Sequence, residues 1–404
     1  MSSPQEAQAG PPLAGSRVVE LTEALAGPAC AQILGDLGAD VVKVERPGRG
    51  DQARGYGPPF AGGESAYFMS LNRNKRSLSL DISLAAGQEV MRRLLARADV
   101  FLLNLPGQAS WEKYGLGYAQ LAAANPGLIM VAISGYGHSG PRAGAPGYDV
   151  IAQGEAGAMS LTGEPAGPPA RFPTPMADMS AGLYATIGVL AALHGRRASG
   201  RGQLLDVSLL ESQASWLTNL VPAYFLTGEP PARLGNAHPM LVPYRPYQAR
   251  DGAFIVGVGT ESLWARFCPA IGRPELAGDP RFATNADRVR QREALEAILE
   301  PHFAAGAAGD WLARLQAARI PSGRVNSLPG LLADGHFLAR GGLVELEHPR
   351  AGAISMLAHP VHFSATPPRY DRPAPWLGEH NAEVLAELGF GPAEIASLRA
   401  DGVI

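Results

Sequence analysis

Ser16-Arg17-Val18-Val19-Glu20-Leu21, a segment with Pro28 near its start and Ala31, Ile33, Leu34 and Leu37 at helical spacing, then Asp40-Val41-Val42-Lys43-Val44-Glu45: these residues decide the fold. Two short apolar runs flank a helix that Pro28 opens and Gly38 closes, which predicts a βαβ unit. Parallel strands are covered on both faces, so such runs are nearly continuous rather than alternating. The alternation continues outward. A helix is expected from Ala85 to Arg97, strands at Val100 to Asn104 and Leu128 to Ser134, a helix from Met179 to His194 and a strand at Gln203 to Val207. The N-terminal half therefore reads as α/β with an open, mostly parallel sheet.

An amphipathic stretch runs from Leu209 toward Phe225, and the composition changes after it. Thr227-Gly228-Glu229-Pro230-Pro231-Ala232 reads as a linker, and Gly235 to Tyr247 is rich in Gly, Pro and aromatic residues. A strand at Phe254 to Val258 and helices at Leu263 to Ile271 and Arg288 to Ala304 predict a smaller α+β unit. Further on come a helix from Leu331 to Arg340, two pairing strands at Gly342 to Glu347 and Ala353 to Leu357, and a helix from Asn381 to Leu388. The expected division is 1–225, 226–330 and 331–404.

The chain has 404 residues, 46% hydrophobic and 18% charged, a composition that folds rather than one that stays disordered. A net charge of −3 leaves no basic surplus for a nucleic-acid backbone or an anionic membrane. Two cysteines, Cys30 and Cys268, argue against a disulfide scaffold and fit a reducing compartment. The start has neither the basic nor the apolar region of a signal peptide. The longest apolar run, Ala181 to Leu193, is shorter than the roughly 20 residues that a membrane helix needs. A cytoplasmic location is expected.

The first βα turn, Thr22 to Pro28, sits where a doubly wound sheet binds an anionic ligand, because free N–H groups at the following helix start face the crevice. It lacks GxGxxG, which disfavours a nicotinamide dehydrogenase. Glu45 to Asp51, with Arg46 and Arg49, and Leu71 to Ser77, with Arg73, Lys75 and Arg76, offer forks and point charges for phosphates, or form solvated charge runs. Lysine is confined to Lys43, Lys75 and Lys113, all in the first third of the chain.

Gly147-Tyr148-Asp149 and the segment around Asp178 hold the acidic groups of interest. Asp178 precedes an apolar helix and reads as its N-cap. A carboxylate held ionised by helix N–H groups is also what attack on an acyl carbonyl requires, so capping and nucleophilic roles are compatible. No HExxH or paired-ligand spacing supports a metal site, and no GxSxG elbow supports an α/β-type hydrolase. His238 lies in a Gly/Pro loop, as a site residue or as an ordinary loop histidine.

Six segments in one order carry a resemblance: Ala26-Gly27-Pro28-Ala29-Cys30, Leu37 to Pro47, Asn72-Arg73-Asn74-Lys75-Arg76-Ser77, Gly147-Tyr148-Asp149, Asp178, and Leu377-Gly378-Glu379-His380. The chain resembles the class III CoA-transferases, the superfamily of formyl-CoA transferase, carnitine CoA-transferase and 2-methylacyl-CoA racemase, over nearly its whole length. The resemblance implies a Rossmann-like large domain, a smaller domain, and two subunits interlocked as a homodimer, with coenzyme A as substrate rather than a permanently bound cofactor. It casts Asp178 as the nucleophile that forms an aspartyl anhydride and then an aspartyl-CoA thioester. Leu25 and Ala26 fall on the pantetheine or nucleotide side, Arg46 near the ribose phosphate, Leu71, Asn72 and Lys75 around the adenine, and Asn104 and Lys113 at the diphosphate. Gly235, Asn236 and His238 stand in a loop that closes over the site.

Racemases of this superfamily carry His where this chain has Tyr148. A phenol with a reference pKa of about 10 is a poor general base at neutral pH, which favours transfer over epimerisation. Tyr148, with Tyr56 and Tyr67, is better suited to hydrogen-bonding an acceptor carboxylate. Gly235 to Tyr244 with Asp251-Gly252 looks most like members that use succinyl-CoA and short dicarboxylates, and Arg73, Arg171 and Arg245 are the candidate cations for a second carboxylate. A 2-methylacyl-CoA racemase and a non-catalytic acyl-CoA binding protein are the alternatives.

Overall fold

The computed structural model describes residues 10–105 and 107–404. The chain divides into two compact units. One comprises residues up to 158 together with 171–222 and 339–404, and the other comprises 159–170 and 223–338. The sequence placed its boundaries at 225/226 and 330/331 and did not assign the short excursion at 159–170 to the smaller unit.

The larger unit is built on β1 (Arg17–Leu21), α1 (Ala26–Asp36) and β2 (Asp40–Glu45), the expected βαβ unit. After α2 (Ala66–Leu71), β3 (Lys75–Ser79) enters the sheet, followed by α3 (Ala85–Leu95), β4 (Val100–Leu103) and β5 (Ile129–Ser134). Then come α4 (Asp149–Glu155), α5 (Met176–Ser199) and β6 (Leu204–Ser208). All six strands are parallel in the order β3-β2-β1-β4-β5-β6. The order reverses between β1 and β4, and the carboxyl ends of those strands are where an open α/β sheet forms its crevice.

Successive residues of the strands serve opposite layers. Val18, Val41, Leu102 and Val131 pack with Leu34 of α1 and with Ala181 and Val189 of α5. Val19, Val42, Phe101 and Met130 pack with Val90, Met91 and Leu94 of α3 and with Val384, Leu385 and Leu398 near the C-terminus. Each large apolar side chain buried in this way contributes about 1.5–3 kcal/mol.

Two expectations are corrected. Residues 71–77 read as a polar, Arg-rich run, yet 75–79 form a fully buried strand, because Lys75 and Arg76 meet partners fixed by other segments. Helix α5 is longer than 179–194 and is long and apolar enough to cross a membrane by length and composition. Its small residues Ala177, Ala181, Ala185 and Ala192 nevertheless lie in the core. Gly182 lets α5 approach α1: a Cβ there would sit 2.8 Å from the Ala26 carbonyl oxygen and 3.2 Å from the Ala29 Cβ.

The smaller unit has an antiparallel sheet of β7 (Tyr244–Ala249), β8 (Gly252–Gly257) and β9 (Ser322–Arg324) in the order β9-β8-β7. Helices α6 (Glu261–Ala270), α7 (Asn285–Arg290), α8 (Arg292–Ala304) and α9 (Ala308–Ala317) accompany it, with Phe254, Phe267, Phe303 and Trp311 in the core. The C-terminal segment contains a hairpin of β10 (Leu343–His348) and β11 (Gly352–Leu357) and ends in α10 (Asn381–Glu387) and α11 (Pro392–Ala400). It docks on β3: Gly378 N donates to Ser77 Oγ at 2.9 Å, His380 N to Ser77 O at 3.0 Å, and Ser79 N to Asn381 Oδ1 at 2.8 Å.

Candidate active site

At the switch point the carboxyl ends of β1, β2 and β4 open a cleft of about 540 Å³. Glu23, Arg46, Arg49, Asp81, Ser83 and Tyr114 are among the residues that line it. Arg46 and Arg49 are exposed, and neither makes an ion pair among the described residues, which leaves both forks free for phosphate oxygens. Lys113 is exposed next to this wall, with its Nζ 5.4 Å from the centre of the Tyr114 ring.

The turn between β1 and α1 is clamped from two sides. Glu23 N donates to Asn104 Oδ1 at 3.1 Å, and Asn104 Nδ2 donates to Glu23 O at 2.9 Å. Ala24 takes a left-handed conformation, φ 68°, unusual for a residue with a Cβ, and its N–H is held by Asp51 Oδ1 at 3.0 Å. Asp51 also accepts from Ala53 N at 2.8 Å and lies 2.9 Å from Lys43 Nζ. Asn104 thus grips the turn itself, whatever it also offers to a diphosphate. Asp51 was missed as a site residue, although an Asp before a short helical turn is a readable cap signal.

Below the turn lies a buried ion network. Lys43 and Lys75 both pair with Glu20, at 2.9 and 2.8 Å, and Lys43 Nζ also donates to Thr22 O at 2.8 Å. The placement of Asn72 and Lys75 around an adenine is corrected here. Both are fully buried, and Lys75 Nζ donates to Asn72 Oδ1 at 2.7 Å and to Pro28 O at 3.0 Å. Lys75 also pairs with Val41 in the sheet, four residues before the carboxyl edge where Ser79 pairs with Glu45 and about 13 Å from it at the usual strand rise. Leu25 and Leu71 pack inward with Ala29 against Tyr67 and Met179, and Ala26 is buried in the α1–α5 layer.

Asp178 stands in the first turn of α5. It is not the N-cap. Pro175 occupies that position without a side-chain bond, and the cap comes from Asp149 in α4, whose Oδ1 accepts from Ala177 N at 2.8 Å and Asp178 N at 3.4 Å. The expectation that capping keeps Asp178 ionised is overturned, since the N–H groups are already taken. Burial, followed by the charge of Asp149, pushes the Asp178 carboxyl up to about 7. Its oxygens make no hydrogen bond among the described residues, while Met179 anchors the helix against Leu25 and Leu71.

Tyrosines gather at this carboxyl. Tyr56 and Tyr67 meet edge to face with ring centres 5.2 Å apart. Burial and then the charge of Asp178 raise the Tyr67 hydroxyl, and burial followed by Tyr148 raises Tyr56. Tyr148, at the start of α4, is 61% exposed. Asp178, Tyr56, Tyr67 and Tyr148 are therefore brought near one another.

In the smaller unit, Gly235 has φ 60° in a turn closed by Ala237 N to Leu234 O at 3.0 Å, with Asn236 at its tip. His238 is engaged inside its own loop: its Nδ1 accepts from Met240 N at 3.0 Å and its carbonyl accepts from Arg292 Nη2 at 2.8 Å. Of the candidate cations, Arg73 is excluded, being buried in a two-pronged bond to Asp36 at 2.9 and 2.6 Å. Arg245 pairs with Glu300 at 3.3 Å, and Arg171 is exposed. Among the described residues no group of three or more His, Cys, Asp or Glu is placed to hold a metal ion.

The profile of CoA-transferase family III matches residues 13–381. The chain belongs to that family. Succinate--glutarate CoA-transferase of Agrobacterium fabrum is 42% identical over 384 residues, which cover 94% of this chain and 96% of that relative. Succinyl-CoA--D-citramalate CoA-transferase of Chloroflexus aurantiacus is 37% identical over 396 residues, 97% of this chain and 98% of that relative. The crystal structure of a CaiB/BaiF family protein from Brucella suis superposes with a TM-score of 0.83 at 41% identity, covering 94% of this chain and all of the other. This CoA-transferase acts on CoA thioesters, and its switch-point cleft with two unpaired arginines suits the polyanionic end of such a substrate.

Proposed function

We propose that this CoA-transferase takes succinyl-CoA as donor and a short dicarboxylate such as glutarate as acceptor, with Asp178 as the acyl-carrying nucleophile. One observation carries the reading: a carboxylate without hydrogen-bond partners among the described residues stands at the sheet's carboxyl edge, beside three tyrosines and anchored to the turn that borders the cleft. The relatives described above, named for glutarate and for D-citramalate, both take dicarboxylates.

The Asp178 carboxylate attacks the thioester carbonyl. A C–O bond forms, the C–S bond breaks, and CoA leaves as thiolate, giving a mixed anhydride. The thiolate attacks the aspartyl carbonyl, forming a C–S bond and expelling succinate. The acceptor carboxylate then attacks the aspartyl-CoA thioester, and the same exchange in reverse yields the new acyl-CoA and restores Asp178. An anhydride retains the activation of the thioester, which an ester to a serine would lose. Tyr56, Tyr67 and Tyr148 supply hydroxyl donors for the carboxylates in transit. Arg171 is the cation proposed for the acceptor's second carboxylate.

The enzyme is proposed to work as a homodimer in the cytoplasm. Leu183, Ile187 and Leu190 expose 43%, 60% and 38% of their surface at helical spacing on α5, an apolar stripe suited to a second copy. Cys30 and Cys268 are both free thiols, in keeping with a reducing compartment.

The test is incubation with succinyl-CoA, hydroxylamine trapping and peptide mass spectrometry. The expected adduct is a hydroxamate at Asp178, and Asp178→Asn should lower the CoA-exchange rate at least about a thousandfold. An active wild-type enzyme that never labels Asp178 refutes the assignment.

A further inference from the structure

The site places two aspartates in contact through one helix terminus, and only one of them has the reactive role. Asp149 Oδ1 accepts from Ala177 N and Asp178 N, and its Oδ2 accepts from Gln153 Nε2 at 2.7 Å. Gln153 is itself fixed, because its Oε1 accepts from Phe172 N at 2.9 Å. Asp149 and Gln153 are both buried, 8% and 2% exposed, so this arrangement is built into the wall of the site.

A helix N-terminus stabilises a nearby anion through its free N–H groups and dipole, by roughly 0.3–1 kcal/mol and up to about 2 when partly buried. Here those N–H groups are spent on the wrong carboxylate for stabilising the nucleophile. The groups facing Asp178 offer no substitute. From α4 comes the like charge of Asp149, from the start of α4 the phenol of Tyr148, from α2 the phenol of Tyr67, from the segment before α2 the phenol of Tyr56, and no cation of the described residues pairs with it.

We propose, on the basis of the transferase reading above, that Asp149 is a positioning residue that fixes the backbone of the nucleophile and at the same time withholds the helix N–H groups from its carboxylate. A carboxylate solvated by few donors is more basic and so more nucleophilic toward a thioester, and protonation disarms it. The arrangement makes acylation sensitive to pH near neutrality, in line with the upward displacement of Asp178.

The experiment is the pH dependence of Asp178 acylation by succinyl-CoA in a single turnover, read by quenched-flow mass spectrometry, for wild type and Asp149→Asn. The wild-type rate should rise with pH through a midpoint near 7. Asn keeps an oxygen for Ala177 N and removes the charge, so the midpoint should move acidward by about one unit. The plateau rate should fall several-fold while the KM for succinyl-CoA stays within about twofold. An Asp149→Asn midpoint equal to that of wild type overturns the proposal. If Asp149→Asn does not fold, Asp149→Ser takes its place: a midpoint below that of wild type supports the proposal, and an equal midpoint overturns it. Absence of any wild-type acyl adduct would instead refute the transferase reading, and esterification of Asp178 by a diazo reagent, compared between wild type and variant across pH, would still report on Asp149.

Discussion

Glu20→Gln is expected to destabilise the larger unit by about 3–4 kcal/mol at pH 7. Glu20 is fully buried, with one oxygen 2.9 Å from Lys43 Nζ and the other 2.8 Å from Lys75 Nζ. Burial works to raise its carboxyl, yet Lys43 and Lys75 together hold it down to about 2, from an ordinary 4.5. A displacement of that size corresponds to about 3 kcal/mol. Removing one partner of a buried ion pair costs about 3–5 kcal/mol, a range that brackets the same value. Glutamine preserves shape and removes charge, leaving Lys43 with Asp51 and Lys75 with the Asn72 amide and the Pro28 carbonyl. Lys43 also holds the Thr22 carbonyl, so the turn beside the cleft should loosen and the KM for acyl-CoA should rise.

The assay is urea unfolding followed by tryptophan fluorescence, for wild type and variant, from pH 8 down to the acid limit of folding. Because the folded-state value lies below the unfolded one, the Glu20 contribution is complete above about pH 4.5 and fades as pH falls toward 2. The gap between the proteins should therefore be largest between about pH 5 and 7, narrow toward pH 8 as Lys75, lowered by burial to about 8, loses its charge, and close below about 5. A gap under about 1 kcal/mol at pH 7, or one that persists undiminished in acid, would refute the reasoning.

Gly182→Ala should cost the enzyme about tenfold in acylation rate, because the added Cβ must move the Ala26 carbonyl from 2.8 Å to ordinary contact and displaces Asp178 one turn away. Its stability should fall by about 1 kcal/mol, since overpacking exceeds the gain from replacing a helical glycine, as a thermal melt would show. Arg171→Met should raise the KM for glutarate at least about tenfold and leave that for a monocarboxylate of equal length nearly unchanged, read by steady-state kinetics on both acids.

The α/β sheet was legible because its evidence is local: apolar runs of strand length, helical spacing between them, and Pro28 and Gly38 at the helix ends. The strand at Lys75–Ser79 was not, because Lys75 and Arg76 are charged and become strand residues only where Glu20, Asp40, Glu383 and Glu387 neutralise them. Two of those partners lie more than three hundred positions away, beyond the reach of any local pattern.

The same distinction runs through the active site. Residue identity and order were enough to mark Asp178, the tyrosines and the first βα turn as candidates, since the proposed acyl transfer needs side chains of those kinds. Which carboxylate caps the helix, which amide grips the turn and which lysine is buried depended on three-dimensional proximity. A hydrogen bond acts over about 3 Å, and two such groups can be 28 positions apart, as Asp149 and Ala177 are.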